Sequence, residues 1–340
     1  NENGMIGKRI TYNIRIIPLA AAIAAVCVIA ACGVRRPRAV KPPELLFREV
    51  WGYLMKGEEK QVTGEEPFTD ILYFGVSFGR DCRLKGSAVL PTIAFRGRPP
   101  RIHLVVFLLN DPTAFRQCAG GDTAAREKLV SDIAAMAKDY AGVQIDFESL
   151  EAGDRDALLA FMSSLRARLP DAMLTIAVPA KTTASGKPAY DYAALAGICD
   201  RVFIMAYDQH WETSEPGPIA SLSWCETVAA RGLEAVPRER LVMGLPLYGR
   251  AWQARKINRA LTWKDAEELS RRAGGARRAE EHGAFFEYTE QVTVRVYYED
   301  PVSIRAKLRL YHSYGIQAVA FWRIGQGAPW WWEDVGLGVR

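Results

Sequence analysis

From residue 46 onward the chain repeats one unit, a short apolar run rich in β-forming residues followed by a segment of helical or loop character. The runs cover residues 49–54, 71–79, 102–109, 142–148, 173–179, 201–208, 241–248 and 318–324. Most are dense in Val, Ile, Leu or aromatic residues, as strands buried on both faces of a parallel sheet must be. Several segments between them have helical period. Leu129, Ile133, Met136 and Tyr140 fall on one helix face. Leu158, Met162, Leu165 and Leu169 repeat the spacing before Pro170 stops it. Asp300-Pro301 ahead of Ile304, Leu308 and Tyr311, with Gly315 behind, supplies an N-cap, a first-turn proline and a terminating glycine. The early crossovers are weaker, and residues 81–100 show no clear helix.

This alternation predicts an α/β chain in which eight strands close into a (β/α)8 TIM barrel. A doubly wound open sheet is the alternative. No Gly-rich phosphate turn follows any strand, however, and no Walker sequence occurs. Residues 253–299 are too long for an ordinary connection. They hold a helical stretch, 264–272, and two strand-like runs, 284–289 and 292–298, which predict a small α+β insertion between strands seven and eight.

The N-terminus is a different object. Lys8, Arg9 and Arg15 precede an apolar run, 16–31, that ends in small residues. That order describes a secretory signal, and the run is short for a membrane span. Ile29-Ala30-Ala31-Cys32 resembles a bacterial lipobox, in which Cys32 would be lipidated; a plain signal or an uncleaved anchor are the alternatives. Residues 33–45, basic and proline-rich, read as an extended tether. The predicted organisation is therefore a signal segment over 1–32, a tether over 33–45 and a barrel over 46–340. The protein is expected to be exported and anchored in a bacterial membrane by lipid, on the periplasmic or cell-surface side. The formal net charge of +5 includes +2 from the first 32 residues. No dense Lys/Arg cluster with interleaved aromatics suggests a nucleic-acid partner, and the chain is expected to act as a monomer. Cys82, Cys118, Cys199 and Cys225 have no metal-ligand spacing. Free buried thiols are the default for them, with a Cys82–Cys118 bridge possible in an exported protein.

The chemistry concentrates in Gly142-Val143-Gln144-Ile145-Asp146-Phe147-Glu148. Side chains alternate, so Gln144, Asp146 and Glu148 share one face of strand four. Three polar groups in a row, ending in two acids, are costly unless that face is wet, paired or catalytic. A solvated strand is the bland alternative, but the neighbouring runs read as buried parallel strands. In a barrel, ligands meet the C-terminal ends of the strands. Glu148 ends run four, Tyr207 and Asp208 end run six, Tyr248 ends run seven and Trp322 lies near the end of run eight. These residues should converge.

At this point the chain resembles glycoside hydrolase family 18, the chitinase-like barrels. The family's Asp-Gly-x-Asp-x-Asp-x-Glu pattern is matched by Ala141 through Glu148, its Met-x-Tyr-Asp pattern by Met205-Ala206-Tyr207-Asp208, and its strand-eight tryptophan by Trp322. Gly244-Leu245-Pro246-Leu247-Tyr248-Gly249-Arg250 is similar to its strand-seven segment, and the family often carries an insertion at this place. Two aspartates of the strand-four pattern are replaced by Ala141 and Gln144. The Ser-x-Gly-Gly pattern usual on strand three is absent from Val105-Val106-Phe107-Leu108-Leu109-Asn110. An amide at position 144, together with Asp208-Gln209-His210-Trp211 and Phe321-Trp322-Arg323, resembles the branch of spore-cortex and peptidoglycan glucosaminidases.

The resemblance implies a retaining hydrolase of β-linked N-acetylglucosamine glycans in which the substrate's own acetamido oxygen attacks. Glu148 would be the general acid, Asp146 the acceptor of the acetamido N–H and Tyr207 the hydroxyl on the acetamido oxygen. Asp208 would contact the sugar and its acetamido group, and Trp322 would form the floor under the ring. Gln144, Tyr248, Trp211 and Arg250 are further substrate-binding candidates, with ordinary packing as the alternative for the last three. Trp330-Trp331-Trp332 reads as packing ahead of a sugar platform. Because Gln144 cannot titrate, Asp146 is expected to stay ionised further toward acid pH. No metal or cofactor is expected, and His103, His210, His282 and His312 are too scattered for a zinc site. A sugar-binding lectin with little turnover is the competing function, although Glu148, which such proteins generally lose, is present.

Overall fold

The computed structural model describes residues 44–340, apart from 88, 96–97, 185–187, 254–258, 290–292 and 329–330. The signal segment, Cys32, most of the tether, Val292 and Trp330 lie outside the described residues.

Among the described residues, eight parallel strands form the barrel: β1 (Glu49–Met55), β2 (Asp70–Phe78), β3 (Arg101–Leu108), β4 (Gly142–Phe147), β5 (Met173–Pro179), β6 (Arg201–Met205), β7 (Leu241–Pro246) and β8 (Ala318–Trp322). Each pairs with its sequence neighbours, and β8 pairs with β1 to close the ring. The predicted (β/α)8 class is the observed one.

The two-residue period of each strand separates two cores. Val50 and Leu54 of β1, and Val143, Ile145 and Phe147 of β4, face outward into the layer of helices. Trp51 and Tyr53, Phe74, Phe203 and Ala320 face inward and fill the barrel. At the end where the strands begin, the acids have partners. The buried Asp70 lies 2.7 Å from His103, and the partly buried Glu49 lies 2.6 Å from Arg201.

The helices follow the sequence pattern closely. Thr123–Met136 buries Leu129 and Ile133, with Tyr140 beyond its end. Arg155–Arg168 buries Leu158, Met162 and Leu165. Asp300 caps Pro301–Ser313 by accepting from the Ser303 N–H at 2.9 Å, while Ser303 returns a bond to the Asp300 N–H. The β2–β3 crossover has no assigned helix among its described residues. It forms a short antiparallel strand, Leu84–Gly86, against β2 and is tied to the helix Pro112–Cys118 by a Cys82–Cys118 disulfide. Cys199 and Cys225 are free and buried.

The insertion is an antiparallel sheet with one helix, Trp263–Arg272, packed on it. Its first strand starts at Tyr248, ahead of residue 253. The chain leaves β7 at Pro246, the Leu247 N–H turns to the Trp322 carbonyl at 2.8 Å, and Gly249 to Gln253 then pair antiparallel with Tyr298 back to Val294. Among the described residues no helix is long and apolar enough to cross a membrane.

Candidate active site

Strand β4 ends one residue before Glu148, whose N–H still donates to the Leu108 carbonyl at 2.9 Å. That last ladder bond carries the carboxyl to the rim of the barrel. Strand β6 ends earlier than the sequence suggested, at Met205. The chain then turns through Tyr207 to Asp208, which adopts a left-handed φ of 55° and so redirects its side chain across the barrel mouth. Trp322 closes β8, and the peptide bond after it is cis.

Asp146, Glu148, Tyr207, Asp208, Trp211 and Trp322 line one cavity of about 490 Å³ at this mouth. Tyr207 stacks on Trp322 with ring centroids 6.4 Å apart and planes 25° from parallel. Tyr53 and Phe74 support the same indole from below at 5.2 and 5.3 Å. Gly244 on β7 makes room for Tyr207, since a Cβ there would lie 2.9 Å from the ring and 2.8 Å from the Ile204 carbonyl. A smaller cavity of about 320 Å³ lies at the edge of the insertion. Its one carboxylate, Glu66, is already spent on Thr63 and Gly64.

Asp208 is held from the insertion side. Tyr248 donates its hydroxyl proton to Asp208 Oδ1 at 2.5 Å, and Arg250 donates to the same oxygen at 2.9 and 3.2 Å. Tyr248 and Arg250 thus act on the site through Asp208 and are absent from the cavity wall. Gln144 is fully buried one pleat deeper than Asp146, and its side-chain oxygen accepts from the Tyr53 hydroxyl. It does not reach the cavity. Trp211 does: it is 53% exposed, on a loop that bonds to itself through Ser214 and Thr213.

Burial pushes the Asp146 carboxyl well above the usual range, and the negative charge of Glu148 raises it further. Glu148 is raised by burial and then by Asp208. Burial and Glu148 therefore oppose the ionisation of Asp146, whatever a neutral Gln144 removes relative to an aspartate at that position. Phe107, its register partner on β3, stacks on Phe74 at 4.3 Å inside the barrel, so aromatic rings replace water there. The Oδ1 atom of Asp146 has no partner among the described residues, which leaves a buried acceptor ready for a ligand N–H. Among the described residues no group of three or more His, Cys, Asp or Glu is arranged to hold a metal ion.

A family model for glycosyl hydrolases family 18 matches residues 109–327, more than half of the chain. The chain belongs to glycosyl hydrolases family 18. Among its family-18 relatives is YdhD of Bacillus subtilis (strain 168), whose name provisionally makes it a sporulation-specific glycosylase. It is 35% identical over 240 residues, 66% of this chain and 54% of YdhD. The cortical fragment-lytic enzyme of Bacillus cereus is 27% identical over 290 residues, 78% of this chain and 67% of that one. This chain thus spans about half to two thirds of the length of these relatives. The family-18 fold recurs in the spore cortex-lytic enzyme SleL of Bacillus cereus, with a TM-score of 0.76 at 22% identity over 87% of this chain and 76% of that one.

Sequence reasoning missed Tyr53, which reads as core on β1, and Trp224, which lines the cavity from a helix. Only the inward period of β1 marks Tyr53, and nothing in the sequence separates it from its neighbour Trp51. Trp332 packs edge-on against Phe68 and Phe321 at 5.2 and 5.1 Å, in line with packing.

Proposed function

We propose that the protein hydrolyses β-linked N-acetylglucosamine glycans with retention, using the substrate's acetamido oxygen as nucleophile. The observation that carries this reading is one cavity walled by the buried Asp146, the partly buried Glu148, a tyrosine hydroxyl and a tryptophan face, with the Glu148 carboxyl shifted toward its protonated form. A protonated Glu148 donates to the glycosidic oxygen as the bond to C1 breaks, and the acetamido oxygen closes on C1 to form an oxazolinium ion. Asp146 accepts the acetamido N–H through its unpartnered oxygen, which orients the nucleophile and offsets the charge that develops. Tyr207 holds the acetamido oxygen, and Trp322 supports the sugar ring. Glu148, now ionised, takes a proton from the water that opens the oxazolinium ion. Asp208, fixed by Tyr248 and Arg250, contacts the sugar.

Peptidoglycan fragments are the favoured glycan, ahead of chitin. The relatives named for cortical fragments point that way, as does the lipobox-like Ile29-Ala30-Ala31-Cys32, which would place a monomeric lipoprotein outside the cytoplasm beside cell-wall glycan. Detergent partition of the mature protein and lipid labelling of Cys32 test the anchor. Recovery in the aqueous phase without labelled lipid refutes it.

Turnover of an aryl N-acetylglucosaminide should yield the β-anomer first, seen by NMR, and the 2-hydroxyl counterpart should be inert. Inversion, or equal turnover of the 2-hydroxyl compound, refutes the mechanism. Sugar binding with no turnover by the wild type would favour the lectin reading.

A further inference from the structure

The strand-three segment that departs from the family pattern, Val105 to Asn110, ends beside the catalytic acid. Asn110 follows β3 and Ser149 follows Glu148, and both are non-glycine residues with left-handed backbones, φ 54° and 61°. Such positions are sparsely populated and persist where the surroundings hold them. Here each holds the other, since the Ser149 hydroxyl donates to Asn110 Oδ1 at 2.9 Å. That bond fixes the amide. With Oδ1 occupied, the two N–H groups on Nδ2 are the free end, exposed and without a partner among the described residues. Leu109, next to it, is 45% exposed. On the other side of Glu148, Trp211 stands exposed in the cavity wall.

A sugar seated on Trp322 between Tyr207 and Asp146 brings its C1–O bond to Glu148. Whatever hangs from that oxygen must leave past Glu148, where the β3–β4 rim stands. Building on the glycosidase reading, we infer that Asn110 is a specificity contact for the leaving sugar, its Nδ2 donating to an acceptor oxygen of a second pyranose while Leu109 supports that ring's apolar edge. Small residues at this place would leave no such donor. An aryl leaving group offers neither the oxygen nor the length to use it.

Asn110→Asp separates this role from a structural one. Aspartate keeps the shape, tolerates the left-handed backbone and still accepts from Ser149, but it has no N–H to donate. The ratio of kcat/KM for an N-acetylglucosaminyl disaccharide to that for the aryl N-acetylglucosaminide, each at its own optimum pH, should fall about tenfold in Asn110→Asp. Ser149→Ala, which frees the amide to rotate, should move the ratio the same way by less. An unchanged ratio, or an equal loss on both substrates, overturns the inference and leaves the glycosidase reading intact. Calorimetry on Glu148→Gln protein, with and without Asn110→Asp, gives a readout that does not need turnover. Chitobiose should bind more weakly when Asn110 is replaced, with N-acetylglucosamine unaffected; equal chitobiose binding overturns the inference even if the wild type proves inactive.

Discussion

The hydroxyl of Tyr53 donates to the side-chain oxygen of Gln144 inside the barrel, one pleat beneath Asp146. Both side chains are buried, so the bond has no water to replace it. Tyr53→Phe leaves the Gln144 oxygen buried and unsatisfied, which should cost about 1–3 kcal/mol. Urea unfolding at constant pH measures this. A variant as stable as the wild type would show that Gln144 finds another donor.

The buried Asp146 and the partly buried Glu148 make stability depend on pH with a definite sign. The carboxyls of Asp146 and Glu148 are both raised above their ordinary values of 3.8 and 4.5, so the native state holds these protons more tightly than the unfolded chain. Their contribution is complete below about pH 4 and is lost as pH rises through the native values. Glu148→Gln should therefore gain stability relative to the wild type between pH 5 and 8, by more at the upper end. Parallel curves for the two proteins would contradict the burial of these charges. Asp208 is the second cause of the Glu148 shift, so Asp208→Asn should move the basic limb of kcat/KM to lower pH.

Gly244→Ala would press a methyl group onto the Ile204 carbonyl and the Tyr207 ring, at 2.8 and 2.9 Å. The strand cannot yield, so overpacking should cost about 1–3 kcal/mol and tilt Tyr207 off Trp322. Thermal unfolding and kcat/KM should both fall. A loss of stability with full activity would show that the site tolerates a displaced Tyr207.

The Cys82–Cys118 disulfide closes a segment with a sequence separation of 36 residues. It ties the crossover after β2 to a helix whose Arg116 grips Glu151 and Asp154, just past Glu148. Replacing both cysteines by serine should cost about 2–4 kcal/mol, read as a lower melting temperature. Equal melting of the oxidised protein and the double serine variant would argue against the bridge.

Much of this fold is visible in the amino-acid pattern because its determinants are local. A buried parallel strand needs an apolar run, and Asp300-Pro301 needs nothing distant to start a helix. The alternation in Gln144, Asp146 and Glu148 set the face correctly but carried no information on depth. Strand period cannot say that Gln144 lies below the cavity floor while Glu148 stands at its rim. The burial that raises Asp146 is hidden in the sequence for a related reason, since Phe107, its register partner, and Phe74, stacked on Phe107, come from β3 and β2. Tyr248 and Arg250 reach Asp208 across 40 and 42 residues of sequence, and only the turn into the insertion at Leu247 aims them there.

Proton donation by Glu148 is tested most directly through the leaving group. The kcat/KM of wild type and Glu148→Gln is compared on a disaccharide and on an N-acetylglucosaminide of a strongly acidic phenol. A general acid matters when the departing oxygen needs a proton, so the substitution should cost about 10²–10⁴-fold on the disaccharide and far less on the phenyl glycoside. An equal loss on both substrates would contradict the assignment.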